Sequence, residues 1–348
     1  KGFQVQTRTE DPAPFAQALA DNPYAGSWSS GGNMNTARES LTGNGTQTAA
    51  FAASGRNASN SDVTSHEQYD GSSWTEVADV NTARRYLSSS STQPSALIFG
   101  ALYDASALTE LWNGSAWSEV NDLNTARGYI VGLGTSTASF AVGGYSTTNL
   151  ANVESWNGSS WTETTELNTT RYGGGGAGTT TSSIVATGYT TTVVANVETY
   201  NGSAWTEVSD VNTARITFGA SSDPSNSTML IAGGDLDSPP RTAATESWDG
   251  SSWTEVNDLA TARGNGMGGG GTNTVGIVFG GTSAAGPKSA ATEEWAFSGI
   301  QPTDSANYVN AITGDFYYNS TAGQFKTVND GGAPIGSWSS GGSLNTSR

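Results

Sequence analysis

Cysteine is absent from all 348 residues, and with it go disulfides, thiolate metal sites and thiol nucleophiles. The chain's one histidine, His66, is too little for a histidine-built metal site. Lysine is confined to Lys1, Lys288 and Lys326, and the formal net charge is −17. Such a balance repels phosphate backbones and anionic lipid, so nucleic-acid binding is not expected. No apolar run approaches the ~20 residues of a membrane-spanning helix, so membrane insertion is not expected either. Charged residues make up 13% of the chain, about half the usual share. Lys1-Gly2 opens without Met or a charged leader, which reads as a piece of a longer chain.

What is present is repetition. Gly158-Ser159-Ser160-Trp161-Thr162-Glu163 runs on to Leu167-Asn168-Thr169-Thr170-Arg171, and near-copies occupy Trp74–Arg84, Trp117–Arg127, Trp205–Arg215 and Trp253–Arg263. Divergent copies stand at Trp28–Arg38 and Trp338–Arg348. From Trp28 to Trp253 the repeat tryptophans lie 46, 43, 44, 44 and 48 residues apart. A fixed period in that range marks a repeat architecture.

Each unit reads the same way. A Gly/Ser-rich segment follows the Arg, then comes an apolar run such as Ala96–Phe99 or Met229–Ala232, often closed by a glycine pair. After a variable loop comes a strand ending in an aromatic (Tyr69, Trp112, Trp156, Tyr200, Trp248, Trp295), then the Trp strand. Asp-Gly or Asn-Gly joins the last two, at Asp70-Gly71, Asn113-Gly114, Asn157-Gly158, Asn201-Gly202 and Asp249-Gly250, which predicts a type I′ hairpin. These turns also explain the Asn-x-Ser/Thr triplets without glycosylation. Four short meandering strands per unit at this period predict an all-β fold, a six-bladed β-propeller with four-stranded antiparallel blades.

The sixth unit has no Trp strand of its own, and the first Trp strand, at Trp28, has no blade before it. Joining them closes the ring and removes the open sheet edges. The domain reading is therefore a linker or end of a preceding module over 1–25, a propeller over 26–299 and a β-hairpin spacer over 300–335. Residues 336–348 then start a further propeller, because Gly336–Gly342 repeats Gly26–Gly32 unchanged, 310 residues on.

The unit of apolar strand, glycine pair, aromatic, Trp and Arg resembles the kelch repeat over residues 26–299. The pair becomes Ser54-Gly55, Gly100-Ala101 and Thr187-Gly188 in units one, two and four. That resemblance implies a four-stranded-blade propeller and usually a binding role, with no single chemistry. The hairpin Gly314–Val328, with Gly-Asp-Phe-Tyr-Tyr-Asn-Ser-Thr, resembles spacers of tailed-phage fibre and virion appendage proteins, especially of marine phages. The composition agrees with such proteins and also with a secreted bacterial adhesin or surface-layer module.

Candidate sites divide into repeated and unrepeated residues. Arg84, Arg127, Arg171, Arg215 and Arg263, with Arg38, recur once per unit, as do Glu67, Glu110, Glu154, Glu198, Glu246 and Glu293. One reading is an anion- or glycan-binding ring; the reading preferred here is structural ion pairs tying blades, suited to arginine's planar fork. Trp74, Trp117, Trp161, Trp205 and Trp253 are expected in the core. Unrepeated loop residues are better ligand candidates: Tyr103, Tyr145 and Tyr189 after the glycine position of three successive units, and Arg56 and Asn57 in the longest loop. Asp235 and Asp237 supply too few ligands for Ca²⁺. No catalytic residue, metal or cofactor is expected: one histidine makes no nucleophile–base pair, and the kelch-like copper oxidases need Cys and His ligands absent here. A glycan-cleaving enzyme with two loop carboxylates remains a third alternative. The expected role is a non-enzymatic host-attachment or fibre-scaffold module at a virion surface or otherwise extracellular. Its expected partners are a host-surface glycan or protein, other virion proteins, or further copies of itself.

Overall fold

Apolar runs that show no alternation need cover on both faces, and in this protein each becomes the second strand of a sheet pressed between two neighbours. The structure, a computed structural model, describes residues 26–102, 107–237 and 241–297 and the strands 316–319 and 324–327. Gly26–Ala296 forms one compact unit. It is a six-bladed β-propeller of four-stranded antiparallel sheets, with no helix among the described residues. Blade three shows the plan: Val131–Thr135, Ala138–Tyr145, Asn149–Trp156 and Trp161–Thr164, in that spatial order. The second strands Ala49–Ala53, Ser95–Phe99, Ser183–Tyr189, Met229–Ala232 and Val275–Phe279 are buried almost throughout.

The first strands of successive blades pack side by side around the axis, and the sixth, Gly268–Gly271, packs on the first, Thr42–Thr46. Crowding there selects glycine. A Cβ on Gly132 would lie 2.4 Å from the Ser89 carbonyl oxygen, and one on Gly270 would lie 2.4 Å from that of Gly45. The outer two strands are locked by aromatic cross-strand pairs, Trp112↔Trp117, Trp156↔Trp161 and Trp248↔Trp253 among them, with ring centroids 5.4 to 5.5 Å apart. The sixth sheet is completed by Ser27–Ser30, which pairs with Thr292–Ala296 in the register Trp28↔Trp295, so the ring closes through the N-terminal strand.

The hairpin joints differ from the expected type I′ turn. That turn needs positive φ at two residues, and only the glycine has it, from 94° at Gly158 to 97° at Gly250. The loop has four residues, closed by a bond from the Asn113 N–H to the Ala116 carbonyl (3.2 Å). Within it Asn113 Oδ1 accepts from the Ser115 and Ala116 N–H groups. The side chain does the work that a second left-handed residue would do. Where the residue is aspartate the same donors, led by the Ser73 N–H, hold the Asp70 carboxyl at about 2.

The other unit comprises 1–25 and 297–348. In it Phe316–Asn319 and Gln324–Thr327 pair as an antiparallel hairpin. The expected linker over 1–25 and the start of a further propeller over 336–348 lie outside the described residues.

Candidate functional site

Between blades the chain crosses from the outer strand of one to the inner strand of the next, and the repeated Asn-Thr-Ala-Arg sits on this crossing. The glutamate of the third strand of the blade being entered receives it. Arg38 pairs with Glu67 at 2.9 Å, Arg84 with Glu110 at 2.8 Å, Arg171 with Glu198 at 2.7 Å and Arg263 with Glu293 at 2.8 Å. Arg127 pairs with Glu154, and Arg215 with Glu246. Every partner is buried. The second carboxylate oxygen takes the backbone and side-chain N–H of the motif asparagine, as Glu110 does from Asn81 at 2.7 and 2.8 Å. Burial pushes the guanidinium of Arg38, Arg84, Arg171, Arg215 and Arg263 below its ordinary range, and the facing glutamate opposes that shift. Nothing of this clamp is open to a ligand. Trp74, Trp117, Trp161, Trp205 and Trp253 are buried beside it.

Two residues past the arginine the chain turns into the inner strand, and here lies the least ordinary backbone of the molecule. Ser40, Tyr86, Tyr129, Gly173, Thr217 and Asn265 all have positive φ, 55° at Tyr86 and 52° at Tyr129. They are tied in a closed ring. Tyr86 N–H donates to the Ser40 carbonyl (3.0 Å), Tyr129 to Tyr86 (2.8 Å), Gly173 to Tyr129 (2.9 Å) and Thr217 to Gly173 (2.8 Å). Gly266 N–H donates to Thr217 (3.0 Å) and Ser40 N–H to Asn265 (2.8 Å). Glycine and asparagine suit this region; a serine there is uncommon, and β-branched Thr217 and the two tyrosines are strained.

The ring lines one cavity of about 130 Å³, with Ser40, Tyr86, Tyr129 and Thr217 in its wall. The Ser40 hydroxyl, buried there, has no hydrogen-bond partner. Beside it the residues after the glycine pairs come back to meet the crossings: Tyr145 bridges Gly128, and Tyr189 bridges Tyr172. Five half-buried tyrosines from blades two to four therefore form one contiguous array. Tyr86 and Tyr129 stack at 4.0 Å, Tyr129 and Tyr172 lie 5.1 Å apart, and Tyr172 meets Tyr145 at 5.4 Å and Tyr189 at 5.2 Å. Burial, then the neighbouring Tyr189 and Tyr145, raise the Tyr172 hydroxyl above its usual range, so it stays a donor.

Beside the ring, blades one and five carry carboxylates where blades three and four carry tyrosine. Glu39 accepts from Asn265 Nδ2 and Thr282 Oγ1 at 2.5 Å each and lies 3.4 Å from Lys288 Nζ. Asp235 accepts from Arg241 Nε at 2.9 Å and from the Asn265 N–H at 2.6 Å. Asp237 accepts from the Val193 N–H at 3.4 Å. No group of three potential metal ligands occurs among the described residues.

Of the ligand candidates from sequence, Tyr145 and Tyr189 lie in the tyrosine array, and Tyr103 lies outside the described residues. Arg56 and Asn57 pair with Arg38–Glu39 and serve their own loop: Arg56 Nε donates to the Asn60 carbonyl, and Asn57 Oδ1 accepts from the Ser59 and Ser61 N–H groups. Neither touches Tyr145 or Tyr189 by hydrogen bond or ring contact. Sequence reasoning missed Tyr86, Tyr129 and Tyr172. Their signal is a tyrosine one or two places after the motif arginine, at an offset that shifts between blades three and four.

No family model matches the chain, and comparison with curated proteins by sequence finds no match. Among solved structures it is similar to YjhT, with a TM-score of 0.62 and 12% identity over 75% of this chain and 96% of that one. At that identity the likeness shows the fold, a β-propeller.

Proposed function

We propose that this chain is a non-enzymatic binding module of a virion appendage, built from kelch-like blades, and that its tyrosine array takes a host-surface glycan or protein. The observation that carries the reading is the stacked pair Tyr86–Tyr129. Both residues hold a left-handed backbone, which costs an L-residue roughly 1–2 kcal/mol, and both stay partly exposed. Blades with serine, threonine, glycine or asparagine at that position fold without them. The ring sets the left-handed backbone in all six blades, so what marks blades two and three is a large, partly exposed aromatic at a place that small or polar residues fill elsewhere. Tyrosine supplies flat apolar area with a polar tip, suited to sugar rings and to peptide surfaces alike.

The non-enzymatic part rests on the carboxylates beside the ring. Glu39 and Asp235 are each held by a cation and an amide, which suits structure better than acid–base work. The virion assignment is supported by the spacer resemblance at Gly314–Val328. The test is a glycan array and a host-cell binding assay with the whole chain, alongside Tyr129→Ala and Tyr172→Ala. Binding lost in both variants supports the reading. Binding unchanged in both, or cleavage of the glycan, contradicts it.

A further inference from the structure

Around the ring of left-handed residues, blades two to four present tyrosine and the other blades present charge that is already paired. Arg241 holds Asp235 at 2.9 Å. Lys288 Nζ lies 3.4 Å from Glu39 and donates to the Asn57 carbonyl and to Asn60 Oδ1, at 2.6 Å each. Arg85, 5.9 Å from the centre of the Tyr86 ring, pairs with Asp62 at 3.1 Å. Arg56 donates to the Asn60 carbonyl within its own loop, and the six clamp arginines are buried with their glutamates. Asp237 adds a further carboxylate on a chain whose net charge is −17.

The cavity that the ring lines has a different character. Tyr86 and Tyr129 belong both to its wall and to the array, so cavity and array share a boundary. Tyr86 Oη donates to Asn265 Oδ1 at 3.2 Å, a reach from blade two to blade six past the blade-one position of Ser40. No charged side chain lines the cavity among the described residues; Leu41, Ile130 and Met267 give it apolar wall. The first strands pair on one side only, each with its own second strand, so their other edges turn backbone N–H and C=O groups toward the axis. About 130 Å³ far exceeds the ~10–15 Å³ that one water needs. Ser40 stands in this wall, 1% exposed, with a hydroxyl that has no partner in the protein. A buried polar group left so is destabilising unless something from outside the chain meets it.

On the reading that the tyrosine array is the binding surface, we propose that its ligand is an uncharged glycan, one hydroxyl-bearing edge of which enters the cavity and hydrogen-bonds Ser40 Oγ. A neutral sugar brings an apolar face for the tyrosine rings and hydroxyls that both donate and accept, as Ser40 and the strand edges require. A carboxylated or sulfated sugar brings a negative charge to an uncharged wall, beside cations already paired and inside a negative field.

The test splits host-surface glycan on an anion exchanger and titrates the neutral and acidic fractions into the whole chain and into Ser40→Ala by calorimetry. The neutral fraction is expected to bind, with an affinity that salt barely changes. Ser40→Ala is expected to bind it about tenfold more weakly, with a Tm no lower than wild type, because the lost hydroxyl leaves no partner behind. If Ser40→Ala fails to fold, Ser40→Gly, which suits the left-handed backbone, takes its place. Equal or tighter binding of the acidic fraction, or undiminished binding by the folded Ser40 variant, overturns the inference and leaves the array standing as a binding surface. Binding of deglycosylated host protein alone does the same. If neither glycan fraction nor host protein binds, the inference and the reading of the array fall together.

Discussion

The indole N–H of Trp161 donates to Thr109 Oγ1 across the seam between blades two and three, at 3.1 Å. The same bond joins Trp28 to Thr245, Trp74 to Thr292 and Trp117 to His66 Nδ1. In each case the acceptor stands one residue before the clamp glutamate. At the next two seams that position is Val153 and Val197, which accept nothing. Trp205 turns to the Thr165 carbonyl instead, and buried Trp253 Nε1 has no partner.

Val197→Thr is expected to supply the missing acceptor and stabilise the protein by about 1 kcal/mol, a rise of roughly 2–4 °C in Tm. Val153→Thr should gain less, because Trp205 is already satisfied. Calorimetry on both variants checks this, and equal shifts would contradict it.

His66 makes one seam sensitive to acid. It is fully buried, edge-on to Trp112 at 4.6 Å, with Nδ1 3.0 Å from Trp117 Nε1 and 3.2 Å from the Ala78 carbonyl. In the neutral ring Nδ1 accepts the indole N–H and Nε2 carries the proton without a partner, and protonation adds an N–H at Nδ1 that faces the indole N–H. Burial lowers the imidazole to about 4, the Ala78 carbonyl and Asp79 opposing the shift and Arg38 adding to it. The unfolded chain takes up the proton near 6.5, so stability is full above that pH and is lost as pH falls toward 4. The loss is roughly 3 kcal/mol. His66→Thr, the residue at three other seams, should lose much less between pH 7 and pH 4 in denaturant titrations. Parallel losses in the two proteins would contradict the assignment.

Thr187 occupies the first position of the glycine pair with φ 62°, where Gly143 has 59° and Gly233 has 69°. A β-branched residue is strained there, and its buried hydroxyl has no partner. Thr187→Gly should stabilise by about 1 kcal/mol, the relief of strain and of the orphan hydroxyl exceeding the lost methyl burial. Urea titration reads it directly.

Blade six lacks one element of the clamp. Ala260 stands where the other crossings carry asparagine, and only its N–H reaches Glu293, at 2.7 Å. Ala260→Asn should restore the side-chain bonds that Asn212 makes to Glu246 and to the Trp253 carbonyl, and add about 1 kcal/mol. Conversely, Glu154→Ala leaves Arg127 charged and alone in the core and should cost about 3–5 kcal/mol.

The blades and the closing strand were legible in the sequence because each depends on contacts at a fixed offset, as in Trp112↔Trp117 and Trp28↔Trp295. The hairpin turn was misread because Asn113 holds it through its side chain, which Asn-Gly alone does not disclose. The tyrosine array was half legible. Tyr145 and Tyr189 follow the glycine position visibly, whereas Tyr86, Tyr129 and Tyr172 meet only because the inner ends of three blades converge, a relation that no spacing along the chain records.

The central claim is that these tyrosines bind. Tyr129→Gly tests it most directly, because glycine keeps the left-handed backbone of the ring and removes only the stacking surface. Titrated with host-surface material by calorimetry, this variant should bind at least about tenfold more weakly, the equivalent of roughly 1.4 kcal/mol, with its Tm within a few degrees of wild type. Undiminished binding by a folded Tyr129→Gly chain would contradict the account.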